Sequence, residues 1–492
     1  MSNRTRWVSA VLISLALIAG LFIGIKKSFA PNWSLYKYQH QSLAWSSCYD
    51  SYQCATFKVP VNYEKIDDQF FTLQVLRHRA TDQRKRIGSL IVNPGGPGGS
   101  GFDYAYNAES IVSPEILAKY DIVGFDPRGV SSSEPIRCLT DKEEDAFLSN
   151  DGKAANPAQV IELVKISKGF ADKCATAAGA RLGHYSTLET ARDMELLRLA
   201  LGEKKLDYLG KSYGTYLGTI YAALYPKNIG HMVLDGAIDP NIDLSEQNRI
   251  QAQGFDRALN DFIAFEKEFT LKDIQGLIKQ SEQNPLVTLQ NRKLTPALLI
   301  TALAASLYDN KDGWPTLAKA LKQVLDLGNP QQLLNIADEY NRRDNLGKFI
   351  DNQNDISIMI TCADWPVNQS ISTMSANAIT YAKQAPVFGP FLAFAGLPCK
   401  YWKASPQTPK VKLSNLRTPP ILIIGVTRDP ATPYEWAKAL SKEMPDSVLL
   451  TFDGEGHTGH GRGNSCIDQK VDTYFLSGKT PAPGLICATS GN

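Results

Sequence analysis

Residues Lys205 to Leu224 read KLDYLGKSYGTYLGTIYAAL, an apolar strand-like stretch that passes through Gly210-Lys211-Ser212-Tyr213-Gly214 into a helical pattern. A G-x-S-x-G between a strand and a helix works only as a sharp turn. The flanking glycines let the two backbones approach, and the central serine is held with its Oγ exposed at the top of a sheet. Thr215, Gly218 and Thr219 keep the first helical turns slim, and Pro226 ends the helix. Ser212 is therefore the candidate nucleophile.

A serine hydroxyl is a weak nucleophile at neutral pH, so Ser212 requires a histidine as base and an acid to orient it. On an elbow of this kind the partners follow in the order serine, acid, histidine. Of six histidines, only His231, His457 and His460 follow Ser212. His231 opens the strand-like run Met232-Val233-Leu234 and reads as structural. The other two lie in a glycine-rich loop, Asp453 to Gly463, that follows the apolar stretch Val448 to Phe452. His457 is nearer the strand end and is expected to be the base, with His460 a neighbour. The acid is expected on the loop after the preceding strand, Pro420 to Val426, where Asp429 stands before Pro430. Asp446 and Asp453 remain alternatives by position alone.

Acyl transfer also needs main-chain N–H donors for an oxyanion. One is the amide of Tyr213, the residue after the nucleophile, and the other belongs on a loop after an earlier strand. Leu90-Ile91-Val92 ends in Asn93-Pro-Gly-Gly-Pro-Gly-Gly-Ser-Gly101, and Gly96 is the expected second donor. The same loop spells G-x-G-x-x-G at Gly96, Gly98 and Gly101, with Asp126 ending the following strand, which is a dinucleotide fingerprint if taken literally. Pro94 and Pro97 argue against it, because they remove N–H donors that a pyrophosphate cradle would use.

These motifs, with Gly124-Phe-Asp-Pro-Arg-Gly-Val-Ser131, Leu234-Asp-Gly-Ala-Ile-Asp-Pro240, Asp429-Pro-Ala-Thr-Pro433 and Gly456-His-Thr458, resemble the secreted tripeptidyl aminopeptidase branch of the prolyl-aminopeptidase-type α/β-hydrolases. The resemblance covers nearly the whole chain after the leader, including Trp45-Ser-Ser-Cys48 and Gly484-Leu-Ile-Cys487. It implies an α/β-hydrolase fold with a mostly parallel central sheet, the triad Ser212, Asp429 and His457, and oxyanion donors at Gly96 and Tyr213. Prolyl aminopeptidases begin the glycine loop with His-Gly-Gly-Pro-Gly, whereas Pro94 stands in place of that histidine here. The chain therefore departs from a strict proline iminopeptidase.

The motifs of one sheet are spread from Leu90 to His457, so the domain must carry a large insertion. Phe255, Leu259, Phe262, Ile263 and Phe269 recur at helical spacing, as do Leu317, Leu321, Val324 and Leu325. The expected organisation is a signal peptide or membrane anchor over 1–30, a first core segment over 31–240, a helical cap over 241–400 and a second core segment over 401–492. In the leader, Arg4 and Arg6 precede an uncharged stretch from Trp7 to Ile25, followed by Lys26-Lys27 and Ser28-Phe29-Ala30. That pattern suits export, either cleaved or anchored through residues 7–25.

Eight cysteines in an exported chain favour disulfides. Eight allow 105 connectivities, and proximity in sequence suggests Cys48–Cys54, Cys138–Cys174, Cys362–Cys399 and Cys466–Cys487. With 52 basic and 50 acidic residues nothing draws the chain to nucleic acid, and no C-x-x-C or H-E-x-x-H suggests a metal. No cofactor is expected.

The expected activity is that of an exported serine exopeptidase acting on peptides with a free amino terminus. The alternatives are an esterase using the same triad and, more remotely, a non-catalytic or dinucleotide-binding protein. Holding an α-ammonium calls for carboxylates in the cap or its hinge. Asp364, in Cys362-Ala-Asp-Trp-Pro366, is the candidate, and a turn or helix-end role is its competing reading.

Overall fold

The computed structural model describes residues 33–489, except 68, 155 and 408–411. The proposed leader, including residues 7–25, lies outside the described residues. Among the described residues no helix is long and apolar enough to cross a membrane.

Ten strands form one sheet: β1 (Ser46–Cys48), β2 (Tyr52–Pro60), β3 (Phe70–His78), β4 (Gly88–Asn93), β5 (Tyr120–Phe125), β6 (Leu206–Lys211), β7 (Ile229–Asp235), β8 (Ile421–Arg428), β9 (Ser447–Glu455) and β10 (Ile486–Ala488). Their spatial order is β1-β2-β3-β5-β4-β6-β7-β8-β9-β10. β1, β2 and β3 pair antiparallel, as does β3 with β5, and from β5 to β10 every pairing is parallel.

The strand sequences explain this arrangement. β4 and β5 are buried at every residue, as expected of parallel strands covered on both faces. Alternation then divides each strand between two cores. Ile91, Val123 and Ile423 pack on one face, with Tyr208 and Met232, while Leu90, Val92, Ile122, Leu422 and Ile424 pack on the other. From β4 the chain steps to β5 on one side and later to β6 on the other. The carboxyl ends of β4 and β6 therefore flank a topological switch point, the usual place for a ligand on an open parallel sheet.

Between β7 and β8 the chain adds no strand to this sheet. It is mostly helical there and carries its own apolar core, built on Phe255, Leu259, Phe262, Leu303, Leu317 and Leu321. Phe269 and Val324 join that core, and Ile263 packs partly buried against it. Leu325 does not: it is 40% exposed. Leu317, Leu321 and Val324 follow the i, i+4, i+7 pattern of one helix face, and the next residue turns about 100° away from it.

Four disulfides join Cys48 to Cys54, Cys138 to Cys174, Cys362 to Cys399 and Cys466 to Cys487. The first closes the β1–β2 turn, and the last ties the helix Ser465–Ser477 to β10.

Glu144 makes the fold sensitive to pH. Its side chain is buried, with Oε1 accepting from Asn354 Nδ2 at 2.9 Å and Oε2 without a hydrogen-bond partner among the described residues. Burial, reinforced by Asp355, pushes this carboxyl from the ordinary 4.5 up to about 7. Between those values the folded chain holds a proton that the unfolded chain has lost, so this contribution to stability is complete below about pH 4.5 and is lost as pH rises through about 7. Glu144→Gln is expected to narrow the difference in melting temperature between pH 5 and pH 8, measured by calorimetry.

Candidate active site

Ser212 stands at the carboxyl end of β6 with φ 54° and ψ −125°, and the helix α1 (Tyr213–Leu224) starts at the next residue. This strained backbone is the elbow, and the glycines around it are required sterically. A Cβ on Gly210 would come within 2.4 Å of Gly214 O, and one on Gly214 within 2.7 Å of Asn93 Oδ1. The turn is pinned from below, with Ser212 N donating to Asp235 O at 2.9 Å and Thr215 N to Ser212 O at 2.8 Å.

The loop after β4 lies directly against the elbow. A Cβ on Gly95 would meet Lys211 O at 2.6 Å and Ser212 Cβ at 2.8 Å. Gly96 and Tyr213 line one cleft together with Ser212. Asp126, the acidic member of the dinucleotide fingerprint, is spent locally. Its carboxylate accepts from Ser100 Oγ at 2.6 Å, Phe102 N at 3.2 Å, and Ser132 N and Oγ at 3.1 and 2.5 Å. The glycine spacing thus serves a close approach of loop to elbow, and the ribose-binding role drops out.

Asp429 and His457 follow β8 and β9. His457 Nδ1 lies 2.9 and 3.0 Å from the two oxygens of Asp429. Asp429 is buried and also accepts from Ala431 N, Thr432 N, Thr432 Oγ1 and Thr458 N at 2.8–3.1 Å. Because that carboxylate only accepts, Nδ1 of His457 carries the proton and Nε2 is left as the basic atom. The end of β7 lies between elbow and imidazole. Asp235 O takes the Ser212 amide, and a Cβ on the following Gly236 would meet Thr432 Oγ1 at 2.9 Å and His457 Cε1 at 3.4 Å.

The competing residues are occupied elsewhere. Asp446 accepts from Thr418 N at the amino end of β8, and Asp453 pairs with Thr427 and Arg428. His231 pairs with Asp207 at the amino end of β7. Burial and the neighbouring Lys211 hold His460 down at about 3, so it stays neutral. Its amide donates to Asp235 Oδ2 at 2.9 Å, and its carbonyl accepts from Lys211 Nζ at 2.6 Å.

Asp364 is not among the residues lining the cleft. It is buried at the end of the helix Gln353–Asp364, and its carboxylate accepts from Thr187 N at 2.9 Å and Thr187 Oγ1 at 2.5 Å. It thus holds a negative charge on the amino end of the helix Thr187–Ala200, where a helix dipole favours one. Thr187 Oγ1 also bonds Tyr213 OH, so Asp364 supports the elbow from behind. These contacts fit the helix-end reading.

A contact absent from the sequence reading comes from the helical insertion. His457 N donates to Tyr308 O at 2.8 Å, and the Tyr308 ring stands edge-on to the imidazole at 5.0 Å. Arg462 locks this contact. Its Nη1 donates to Tyr308 O at 3.2 Å and His457 O at 3.0 Å, and its Nη2 donates to Asp309 Oδ1 and Asn310 Oδ1 at 2.8 and 3.1 Å. Arg462→Ala removes this lock and leaves the His457 N–Tyr308 O bond to hold the histidine loop. Small displacements of catalytic groups cost up to about 10²-fold, so kcat is expected to fall roughly 10- to 100-fold, with a smaller change in KM, in steady-state kinetics.

A sheet switch point carrying a serine elbow, with a carboxylate-bonded imidazole on the loop three strands away, defines a serine hydrolase of the α/β-hydrolase fold. Residues 385–487 match the family model described as TAP-like protein. The chain is 34% identical over 453 residues to the tripeptidyl aminopeptidase of Streptomyces lividans, covering 89% of this chain and 83% of that one. It is 32% identical over 461 residues to the serine protease Hip1 of Mycobacterium tuberculosis, covering 88% and 87%. To the carboxylesterase B of Mycobacterium tuberculosis it is 33% identical over 471 residues, covering 90% of each. The chain belongs to this tripeptidyl-aminopeptidase-like family of α/β-hydrolases.

Proposed function

We propose that the protein is an exported serine exopeptidase that releases short peptides from a free amino terminus. Ser212 attacks the scissile carbonyl while His457 takes its proton and later gives it to the leaving amine. Asp429 orients the imidazole and stabilises its charged form. The amides of Gly96 and Tyr213 hold the oxyanion, each such donor being worth about 10²–10³ in rate. Water then attacks the acyl-enzyme by the same route, and residues 241–400 act as the cap over these steps.

The observation that makes the peptidase reading an exopeptidase rather than an endopeptidase is the size of the cleft containing Ser212. At about 280 Å³ it is close to the lower end of small-ligand pockets, roughly 300–1,000 Å³. Its walls come from the helical insertion as well as the hydrolase loops: Gln247, Tyr308, Thr361 and Trp365 face Pro97, Thr432 and Trp436. A short chain end fits such a space, whereas the middle of a long polypeptide would need a groove open at both ends. The relatives named as a serine protease and a tripeptidyl aminopeptidase agree with this reading. The carboxylesterase relative, at similar identity, keeps an esterase as the second reading. Export rests on the pairing of all eight cysteines, with the mature enzyme periplasmic, extracellular or anchored through residues 7–25.

The test is cleavage of Ala-Ala-Pro and Pro amides, free and N-acetylated, and of a short-chain ester, by wild type and by Ser212→Ala. Ser212-dependent release much faster from the free-amine peptides than from their acetylated forms is the expected result. Hydrolysis of the ester alone would replace the peptidase reading with the esterase reading.

A further inference from the structure

Among the described residues, no carboxylate lines the cleft around Ser212. Its polar wall comes instead from three amide side chains on the helix α2 (Leu244–Glu266): Gln247, Asn248 and Gln251. Gln247 and Gln251 are one helical turn apart and so share a face, with side chains about 5–6 Å from each other.

Each of these glutamines is held by its own N–H group. Gln247 Nε2 donates to Ile242 O at 3.2 Å, and Gln251 Nε2 donates to Ala431 O at 2.8 Å. With the amide nitrogens committed to main-chain carbonyls, the Oε1 atoms are presented as acceptors, and among the described residues no donor is bonded to either. Gln247 is 9% exposed as a residue, and both oxygens are open to a donor that a ligand brings into the cleft. The rest of the lining suits a cation. Tyr308, Trp365 and Trp436 wall the same space, and aromatic faces attract a positive charge.

Building on the exopeptidase reading, we propose that Gln247 and Gln251 form the subsite for the substrate's α-ammonium group, receiving it through neutral amide oxygens and aromatic walls rather than through a carboxylate. An ammonium carries three N–H donors and can satisfy both oxygens at once, which a single backbone N–H cannot. The fixed distance from this helix face to Ser212 then sets how far from the amino terminus the chain is cut. The subsite is specificity-determining: it touches the far end of the acyl segment and none of the reacting atoms.

Gln247→Met and Gln251→Met keep side-chain length and remove the acceptors. Each is expected to lower kcat/KM for free Ala-Ala-Pro amide roughly 10- to 100-fold, the range for hydrogen bonds to a charged group. Gln247→Met, which leaves the Asp429 loop untouched, is also expected to leave the N-acetylated peptide and the short-chain ester within about threefold. A second readout is the KM of the wild type for the free peptide, which should rise as pH passes the α-amino pKa near ~7.7–8.0; the substitutions should flatten that rise. Gln251 also bonds the Ala431 carbonyl in the loop that carries Asp429, so if Gln251→Met fails to fold, Gln247→Met alone decides. Equal losses on free peptide, acetylated peptide and ester would overturn the subsite, leaving the exopeptidase reading intact. A wild type that cleaves free and acetylated peptides equally well would overturn both.

Discussion

Asp429→Asn is expected to lower kcat by roughly 10⁴-fold, the loss typical when the orienting acid of a serine triad becomes an amide. The arrangement around this residue explains why an isosteric change is so damaging. One oxygen of Asp429 accepts from Ala431 N and Thr432 N, the other from Thr432 Oγ1 and Thr458 N, and His457 Nδ1 bonds both. Whichever position the new NH₂ takes, it faces main-chain N–H groups that can only donate. The amide is thus forced into donor–donor contact, and an N–H turned toward the ring would favour the tautomer that protonates Nε2. A stability loss of about 1–3 kcal/mol should accompany the kinetic one, the cost of leaving a buried donor unsatisfied. Asp446→Asn and Asp453→Asn, whose carboxylates are engaged elsewhere, should stay within a few-fold of wild-type kcat. Steady-state kinetics on the three variants separates the candidates that spacing alone left open, and full activity in Asp429→Asn would remove it from the mechanism.

The parts of the site that could be read from the sequence are those built from short contiguous segments. Ser212 is visible because an elbow needs glycines at fixed offsets between a strand and a helix. The loops after β4, β8 and β9 are visible because each follows an apolar run. What could not be read is whatever depends on contact between distant segments. Nothing near Tyr308 announces that its carbonyl will take the His457 amide, since the two are 149 positions apart in the chain and meet only when the insertion folds back. Arg462 lies five residues after His457, but its four partners come from two segments that the local pattern does not connect. The expectation of a carboxylate for the substrate amine pointed to Asp364, whose charge caps a helix. Glutamines at i and i+4 on a helix look like any solvated face until the cleft beside them is known. Leu325 failed for a simpler reason: it lies about 100° round the helix from Val324, off the face that meets the core.

Asp193→Ala should be the most destabilising single substitution outside the catalytic residues, costing about 3–5 kcal/mol because it takes from a buried charge its bidentate counter-ion. The charge is Arg128, a fully buried side chain in the turn after β5. Asp193 meets its guanidinium bidentately, through Nη2 at 2.6 Å and Nε at 2.8 Å. The remaining N–H groups reach the carbonyls of Pro60 at 3.2 Å, Val61 at 3.0 Å and His184 at 2.9 Å, with Glu189 at 3.4 Å. Burial works against the charged guanidinium, but Asp193 outweighs it and holds Arg128 above its ordinary value. Tyr63 OH donates to the same carboxylate at 2.8 Å, so one network gathers β2, the β5 turn and the helix Thr187–Ala200. That helix also receives Asp364 and, through Thr187, the ring of Tyr213, which places the elbow downstream of the buried pair. The melting temperature should therefore drop by roughly 3–5 °C, and kcat should fall along with it even where the protein remains folded. A double substitution, Arg128→Met with Asp193→Leu, removes both charges and should cost less stability than the two single losses added together, because neither charge is then left buried without the other. It should not recover the activity, since the carbonyls of Pro60, Val61 and His184 would lose the donor that sets the turn. Calorimetry and kinetics on the two single variants and the double variant decide the matter: additive losses in stability would show that the pair is not coupled, and restored kcat would show that the turn does not depend on it.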